Sequence, residues 1–193
     1  MPTLMLLIAC LAPIPPGAAL TNHYLPAQRG NKWIYQQSNG ADCTFSVTDS
    51  YCLFGATVAT ISTFDDRGAT GHWQKFLSSA AGVSLIEDDS FFKRKYPAIC
   101  WLKADAKLGE TWKYDTWLHI GVSPIPCVGR IQYMGTETLR LPIGEVEAFH
   151  AKALRSPACI GGDRWYAKGI GMVQYSLGEG HMLKLKRFIP AEK

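Results

Sequence analysis

Short runs in which large apolar and polar residues alternate, broken by Gly, Pro, Asn and Asp, dominate the chain, and helical periodicity is scarce. Alternation places every second side chain on one face of a strand. In "GNKWIYQ", from Gly30, Trp33 and Tyr35 share a face. "GETWKYD", from Gly109, repeats the phrase 79 residues on: Trp112 and Tyr114 face one way, Thr111, Lys113 and Asp115 the other. Each Gly-x-x-Trp-x-Tyr reads as a strand start, with a flexible Gly for the turn and two aromatics for the buried face. Each ring can remove roughly 150–250 Å² of surface from water. A looser third echo is "GDRWYAKG", from Gly162. The repetition predicts two similar halves of one sheet.

Other runs fit the same scheme. "TFSVTDSYCLFGATVATIST" predicts a hairpin turning near Thr48 to Ser50. "HWQKFLSSAAGVSLIEDDSFFKRKY" gives two runs about Ala81-Gly82, with a short helix over Gln74 to Ala81 as the alternative for the first. "GMVQYSLGEGHMLKLKRF" is a terminal hairpin: Val173, Tyr175 and Leu177 alternate before "GEG", and Leu183 and Leu185 alternate with Lys184 and Lys186 after it. "LPIG" is a turn between two long arms, with Pro142 fixing φ and Gly144 free to take a positive one. Pairing centred on Ile143 sets Cys127 and Cys159, each sixteen residues away, opposite each other and predicts a disulfide. A bulge would spoil that register, and Gly135 is the candidate position. Such a bridge stabilises by roughly 3–4 kcal/mol on chain-entropy grounds. The fold class expected is all-β with minor helix at most, a single curved antiparallel sheet or half-open barrel.

Composition changes this picture little. The 193 residues suit one domain, and 47% apolar with 19% charged residues is ordinary for a globular protein. No segment approaches the roughly 20 apolar residues of a helical membrane span. The net charge of +4 is mild, and "FKRKY" and "KLKRF" are short basic runs that read as solvated strand faces and ends. Aromatics beside basic residues, in "WYAKG" and "KFL", read as core packing, so no nucleic-acid partner is expected.

"MPTLMLLIACLAPIPPGAAL" is uncharged, briefly apolar and then rich in Pro and Ala, as in a secretory leader over residues 1–19, followed by a single β domain over 20–193. A signal peptidase would cut after Ala19, where Gly17 and Ala19 supply small side chains. Alternatively "LIAC" is a lipobox, Cys10 is lipidated, and Leu11 to Leu20 form a stiff Pro-rich tether, the one membrane attachment expected. Either route places the protein outside the cytoplasm, in a bacterial periplasm, on an outer membrane or beyond it. Five further cysteines, Cys43, Cys52, Cys100, Cys127 and Cys159, suit an oxidising compartment. No Cys-x-x-Cys occurs and no His stands at zinc spacing, so no metal is expected. Cys43–Cys52 is the second candidate bridge, leaving Cys100 beside Trp101.

"YLPAQRGNKWIY", "GVSLIE", "YPAICWLKADAKLGETWKY", "LRLPIGEVEAFHAKAL" and "WYAKGIGMVQYSLGEGHMLKLKRF" resemble, in that order, a broad group of exported bacterial proteins of unassigned function. Those proteins open with an FPL-x-x-G-x-x-W-x-Y phrase, carry a VPAGTFEA hairpin and close with WYAPGVGLVK. The resemblance runs from about Asn22 to about Phe188. Ile143, Glu145-Val146 and Lys168 depart from it, and the cysteines are peculiar to this chain. It implies a strongly curved antiparallel sheet, like the half-open barrels that carry lipoproteins across the envelope, and no catalytic residues.

The chemistry of individual residues is sparse. His23, His72, His119, His150 and His181 form no His-x-x-x-His or His-x-His pair and read as lone surface or hairpin histidines. Glu87, Asp88 and Asp89 read as a solvated turn, since adjacent strand residues face opposite ways and no calcium-loop pattern is present. No Gly-x-Ser-x-Gly elbow occurs, and Cys100 among apolar neighbours suits an inert thiol. "KGIGMV" lacks a third Gly and a βαβ setting, so no dinucleotide or other cofactor is expected. Three readings remain. The first is a non-catalytic envelope protein binding a lipid or other apolar small molecule on a concave face lined by Trp33, Tyr35, Trp112, Tyr114, Trp165 and Tyr166. The same rings filling a solid core are its plainer counterpart. The second is a lipid-tethered interaction domain docking on an envelope protein, and the third a hydrolase of unknown type.

Overall fold

The computed structural model describes residues 24–88, 99–120, 123–154, 161–177 and 180–192. The leader with Cys10, His23, Asp89, the "FKRKY" run and Cys159 lie outside the described residues. Within them the chain forms twelve strands and no helix: β1 (Lys32–Gln37), β2 (Asp42–Leu53), β3 (Ala56–Asp65), β4 (Gly68–Ser79), β5 (Gly82–Asp88), β6 (Ile99–Lys103), β7 (Thr111–Ile120), β8 (Ser123–Leu141), β9 (Gly144–Leu154), β10 (Gly162–Ala167), β11 (Gly171–Ser176) and β12 (Met182–Ile189). The expected helix over Gln74 to Ala81 is absent. That stretch belongs to β4, where Phe76 and Ser78 follow the two-residue period of a strand and Ser78 is buried.

All pairings are antiparallel, in the order β6-β5-β4-β3-β2-β1-β12-β11-β10-β9-β8-β7. The chain therefore meanders through two runs of six strands. β1 and β7 open them, and each carries one copy of the Gly-x-x-Trp-x-Tyr phrase. Gly30 (φ 95°) and Gly109 (φ 79°) take the left-handed conformation. The Gly30 amide donates to the Val47 carbonyl of β2, and the Gly109 amide donates to the Tyr133 carbonyl of β8. One joint between the halves is sealed by the β1–β12 ladder, from Lys32 opposite Ile189 to Gln37 opposite Leu183. At the other, β6 and β7 form the two ends of the sheet order with no ladder between them among the described residues. The sheet nevertheless curls until these edges meet, because the Trp112 indole Nε1 donates to the Cys100 carbonyl at 2.6 Å. The result is a barrel with one unsealed seam. Right-handed strand twist supplies the curl, and register shifts in the β1–β12, β2–β3, β4–β5, β5–β6, β8–β9 and β10–β11 ladders sharpen it.

The residues just before β1 pack into the barrel. Leu25 and Ala27 are buried, the Ser78 hydroxyl donates to the Leu25 carbonyl at 2.9 Å, and Asn31 Nδ2 donates to the Pro26 carbonyl at 2.9 Å. Asn31 Oδ1 also accepts from the Ala191 amide at 2.7 Å, so both ends of the described chain meet on one side chain.

Several turns differ from expectation. The hairpin predicted near Thr48 to Ser50 turns instead at Phe54-Gly55. β2 runs straight through the polar triplet by bulging between Val47 and Asp49. Cys43 and Cys52 consequently lie nine residues apart on one strand, about 30 Å at roughly 3.3 Å per residue, and cannot bridge. The Pro142-Ile143 turn is where it was expected, but Leu141 pairs with Gly144, which centres it between residues. The predicted bulge at Gly135 (φ 114°) is present and adds a further slip. Arg130 thus faces Leu154 rather than Ser156, and the register that placed Cys127 opposite Cys159 is not kept. No disulfide joins Cys43, Cys52, Cys100 and Cys127 to one another.

Candidate functional site

The barrel interior is not fully packed. A partly open cavity of about 170 Å³ lies between the two halves of the meander. Its floor and walls are Leu25 from the entering segment, Trp33 and Tyr35 from β1, Phe45 from β2, Ile61 from β3, and Phe76 and Val83 from β4 and β5. Trp101 of β6, Met172 and Tyr175 of β11 and Tyr166 of β10 complete the apolar part. Polar groups converge on the same space: Thr63, His72, Gln74, Asp88 and Arg164.

Trp33 and Tyr35 are held by their polar tips. Trp33 Nε1 donates to the Ile170 carbonyl at 2.5 Å, and the Tyr35 hydroxyl donates to the Met172 carbonyl at 2.7 Å. Both acceptors lie beyond the described rungs between β11 and β12, which pair only Gln174, Tyr175 and Ser176. The aromatic tips thus satisfy main-chain carbonyls that a ladder would otherwise serve. The ring of Trp33 also stacks on Phe188, with centroids 5.5 Å apart. Burial pushes the Tyr35 phenol well above its ordinary range. Tyr166 rises to about 12, mainly by burial and against the pull of Arg164.

Asp88 is 3% exposed and accepts a hydrogen bond from Gln74 Nε2 on the neighbouring strand. The solvated turn expected for "EDD" is corrected here: Glu87 and Asp88 belong to β5, Glu87 pairs with Lys75 at 2.6 Å, and Asp88 faces inward. Arg164 is 8% exposed. Its guanidinium lies 3.3 Å from the centre of the Trp101 ring and 4.5 Å from that of Tyr175. Its Nη1 is buried with no hydrogen-bond partner among the described residues. Trp101 belongs to β6 and Arg164 to β10, so this contact crosses the interior.

All six aromatics expected on the inner face are buried, but only Trp33, Tyr35 and Tyr166 line the cavity. Trp112 sits at the seam, where Lys103 Nζ approaches its ring at 5.5 Å. Tyr114 packs its hydroxyl against Gly129 so tightly that a Cβ there would fall 2.3 Å from it. Trp165 and Tyr166 are adjacent and cannot share a face: Trp165 stacks on His150, centroids 4.3 Å apart, and donates to Glu137 Oε1 at 2.6 Å. Sequence reasoning missed Arg164, Gln74 and Asp88 as lining residues. The signal for Arg164 was present, since a residue two before an inward Tyr166 shares its face.

His150 is not the lone histidine expected. Its Nδ1 lies 3.1 Å from Glu137 and its Nε2 2.8 Å from Asp163. Both nitrogens are thereby within reach of carboxylates, and Trp165 covers one ring face. His72 is at the exposed rim of the cavity, and His181 is exposed. Among the described residues no group of three or more His, Cys, Asp or Glu is placed to hold a metal ion. Burial pushes the Cys43 thiol up to about 11 and raises that of Cys100, which suits inert thiols.

No family model and no curated protein matches the chain. Two solved structures share the fold. A candidate exported protein with a YmcC-like fold from Bacteroides fragilis NCTC 9343 is 15% identical, with a TM-score of 0.51 over 86% of this chain and 98% of its own. A candidate lipoprotein from Parabacteroides distasonis ATCC 8503 is 12% identical, with a TM-score of 0.55 over 87% of this chain and 99% of its own. The likeness extends over nearly the whole of both proteins and is one of fold.

Proposed function

We propose that this chain is a non-catalytic, exported protein of the bacterial envelope that holds a lipid or other apolar ligand inside its barrel. The observation that carries this reading is the 170 Å³ cavity walled by Trp33, Tyr35, Phe45, Ile61 and Phe76. Ligand sites are typically concave and largely apolar, with a few convergent polar groups. Two further points support it. The leader-like N-terminus suits export, and the two proteins that share the fold are described as an exported protein and a lipoprotein. Native mass spectrometry of the protein exported with its own leader, purified without detergent, tests it. Bound mass of acyl-chain size that leaves on unfolding is expected, and a bare chain under all conditions overturns it. The same spectrum distinguishes a chain beginning at lipidated Cys10 from one beginning at Leu20.

A second reading, a tethered domain docking on an envelope protein, has its own support. The β2–β3 tip exposes Tyr51, Leu53 and Phe54, the last fully exposed at φ 48°. Apolar side chains at a loop tip in a strained conformation suit a contact surface. Changing Leu53 and Phe54 to Ser should then abolish capture of the partner from envelope extracts and leave ligand mass unchanged.

A further inference from the structure

We infer that the ligand is an apolar monocarboxylic acid whose carboxylate seats on Arg164. This rests on the cavity being a binding site, and it names the ligand's chemistry. A guanidinium is costly to bury unless acceptors meet its N–H groups. Here the flat faces are covered by Trp101 and Tyr175, an attraction that compensates the charge but accepts no hydrogen bond. Nη1 is left buried with no acceptor among the described residues, and the Arg164 side chain lines the largely apolar space. The second charged group of the lining, Asp88, is engaged by Gln74 Nε2. The missing partner of Arg164 is thus an anionic oxygen arriving with an apolar body. A carboxylate matches the planar fork of the guanidinium.

Size restricts the body. Apolar cavities of about 150 Å³ accept a single benzene ring. A 170 Å³ space therefore suits one ring or a short acyl chain, and longer chains would leave through the partly open side. The head group would meet Arg164, and the chain would run along Phe45, Ile61, Phe76 and Val83.

The test compares octanoate with 1-octanol, which share a chain and differ in charge, by tryptophan fluorescence and calorimetry at pH 7. The wild-type protein is expected to bind octanoate about tenfold or more tightly than 1-octanol. Arg164→Gln should weaken octanoate binding about tenfold or more and so bring the two affinities together. Equal binding of acid and alcohol by the wild type overturns the assignment to Arg164 and leaves the apolar-site reading standing. Binding of neither overturns both. An acid preference that persists in Arg164→Gln also overturns the assignment, since another cation would then hold the head group. If Arg164→Gln fails to fold, the NMR signal of the Arg164 side chain in the wild type decides: it should shift with octanoate and not with 1-octanol, and an equal response to both overturns the assignment.

Discussion

Tyr35 shows what a side chain must do inside a closed sheet. Its ring is 1% exposed, and its hydroxyl meets the Met172 carbonyl, 137 residues away. The burial of Trp33, Tyr35, Trp112 and Tyr114 was legible from their two-residue spacing, because that period belongs to the strand itself. The acceptors of their polar tips were not legible, because they are set by which strands the curl brings together. Tyr35→Phe removes only the hydroxyl and leaves the carbonyl unpaired. It should lower stability by about 1–3 kcal/mol, read as a lower urea midpoint with an unchanged m value. An unchanged midpoint would mean that water reaches that carbonyl. Cys43 allows a second check. Its thiol rises from 9.0 to about 11 in the folded state, so the folded chain holds that proton more tightly than the unfolded one. The corresponding stability is complete below about pH 9 and is lost as pH rises through about 11; Tyr166 follows, from 10.0 to about 12. Melting temperatures should therefore fall above pH 9, and Cys43→Ala should lessen the earliest part of the fall, to which the raised Cys100 thiol also contributes. A Cys43→Ala profile identical to that of the wild type would assign the fall to other groups.

Among the described strands β6 is the shortest. It is five residues long and, like β7, pairs on one side only, with β5. Its other edge is held by side chains: Trp112 Nε1 on the Cys100 carbonyl, and Lys103 Nζ on Glu110 Oε1 at 3.0 Å. The Lys107 amide, and then Lys103, hold the Glu110 carboxyl below its ordinary range. That ion pair is partly exposed and contributes little. The indole is therefore the chief bond across the seam. Trp112→Phe should raise hydrogen exchange at the β6 amides about 5- to 150-fold, the equivalent of losing about 1–3 kcal/mol, with β1 and β12 unchanged. Equal acceleration around the whole barrel would show that the seam does not open on its own. The hairpin marked by Pro-Ile-Gly was readable because proline restricts φ and Gly144 takes a positive one (121°), and the β11–β12 hairpin because Gly180 does so too (87°). The β2–β3 turn was obscured because Thr48-Asp49-Ser50 has turn-like composition yet forms a bulge, whereas the true tip carries an aromatic.

At the scale of the molecule, two six-strand meanders become one barrel through the β1–β12 ladder, which joins residues more than 140 apart in sequence. Closure of this kind places the slowest contacts last, so refolding on a millisecond-to-second scale or slower is expected. Removing β12 should abolish cooperative unfolding altogether, because Trp33 and Tyr35 lose their cover. A truncated chain that ends at Ser176 and still melts sharply would mean that the remaining strands are self-sufficient. The all-β class and its curvature were legible from alternation and from the repeated phrase. The location of the seam was not, since nothing local distinguishes the edge β6–β7 from the paired β12–β1. The β1–β12 joint also has a mechanical meaning. Lys32 lies opposite Ile189, so both ends of the chain leave from the same end of one antiparallel pair. A pull between a tethered N-terminus and a loaded C-terminus would break those rungs one after another, as a zip opens, instead of loading them together. Under tension the cylinder would unroll at this laddered joint, and the seam would carry no load until it had given way.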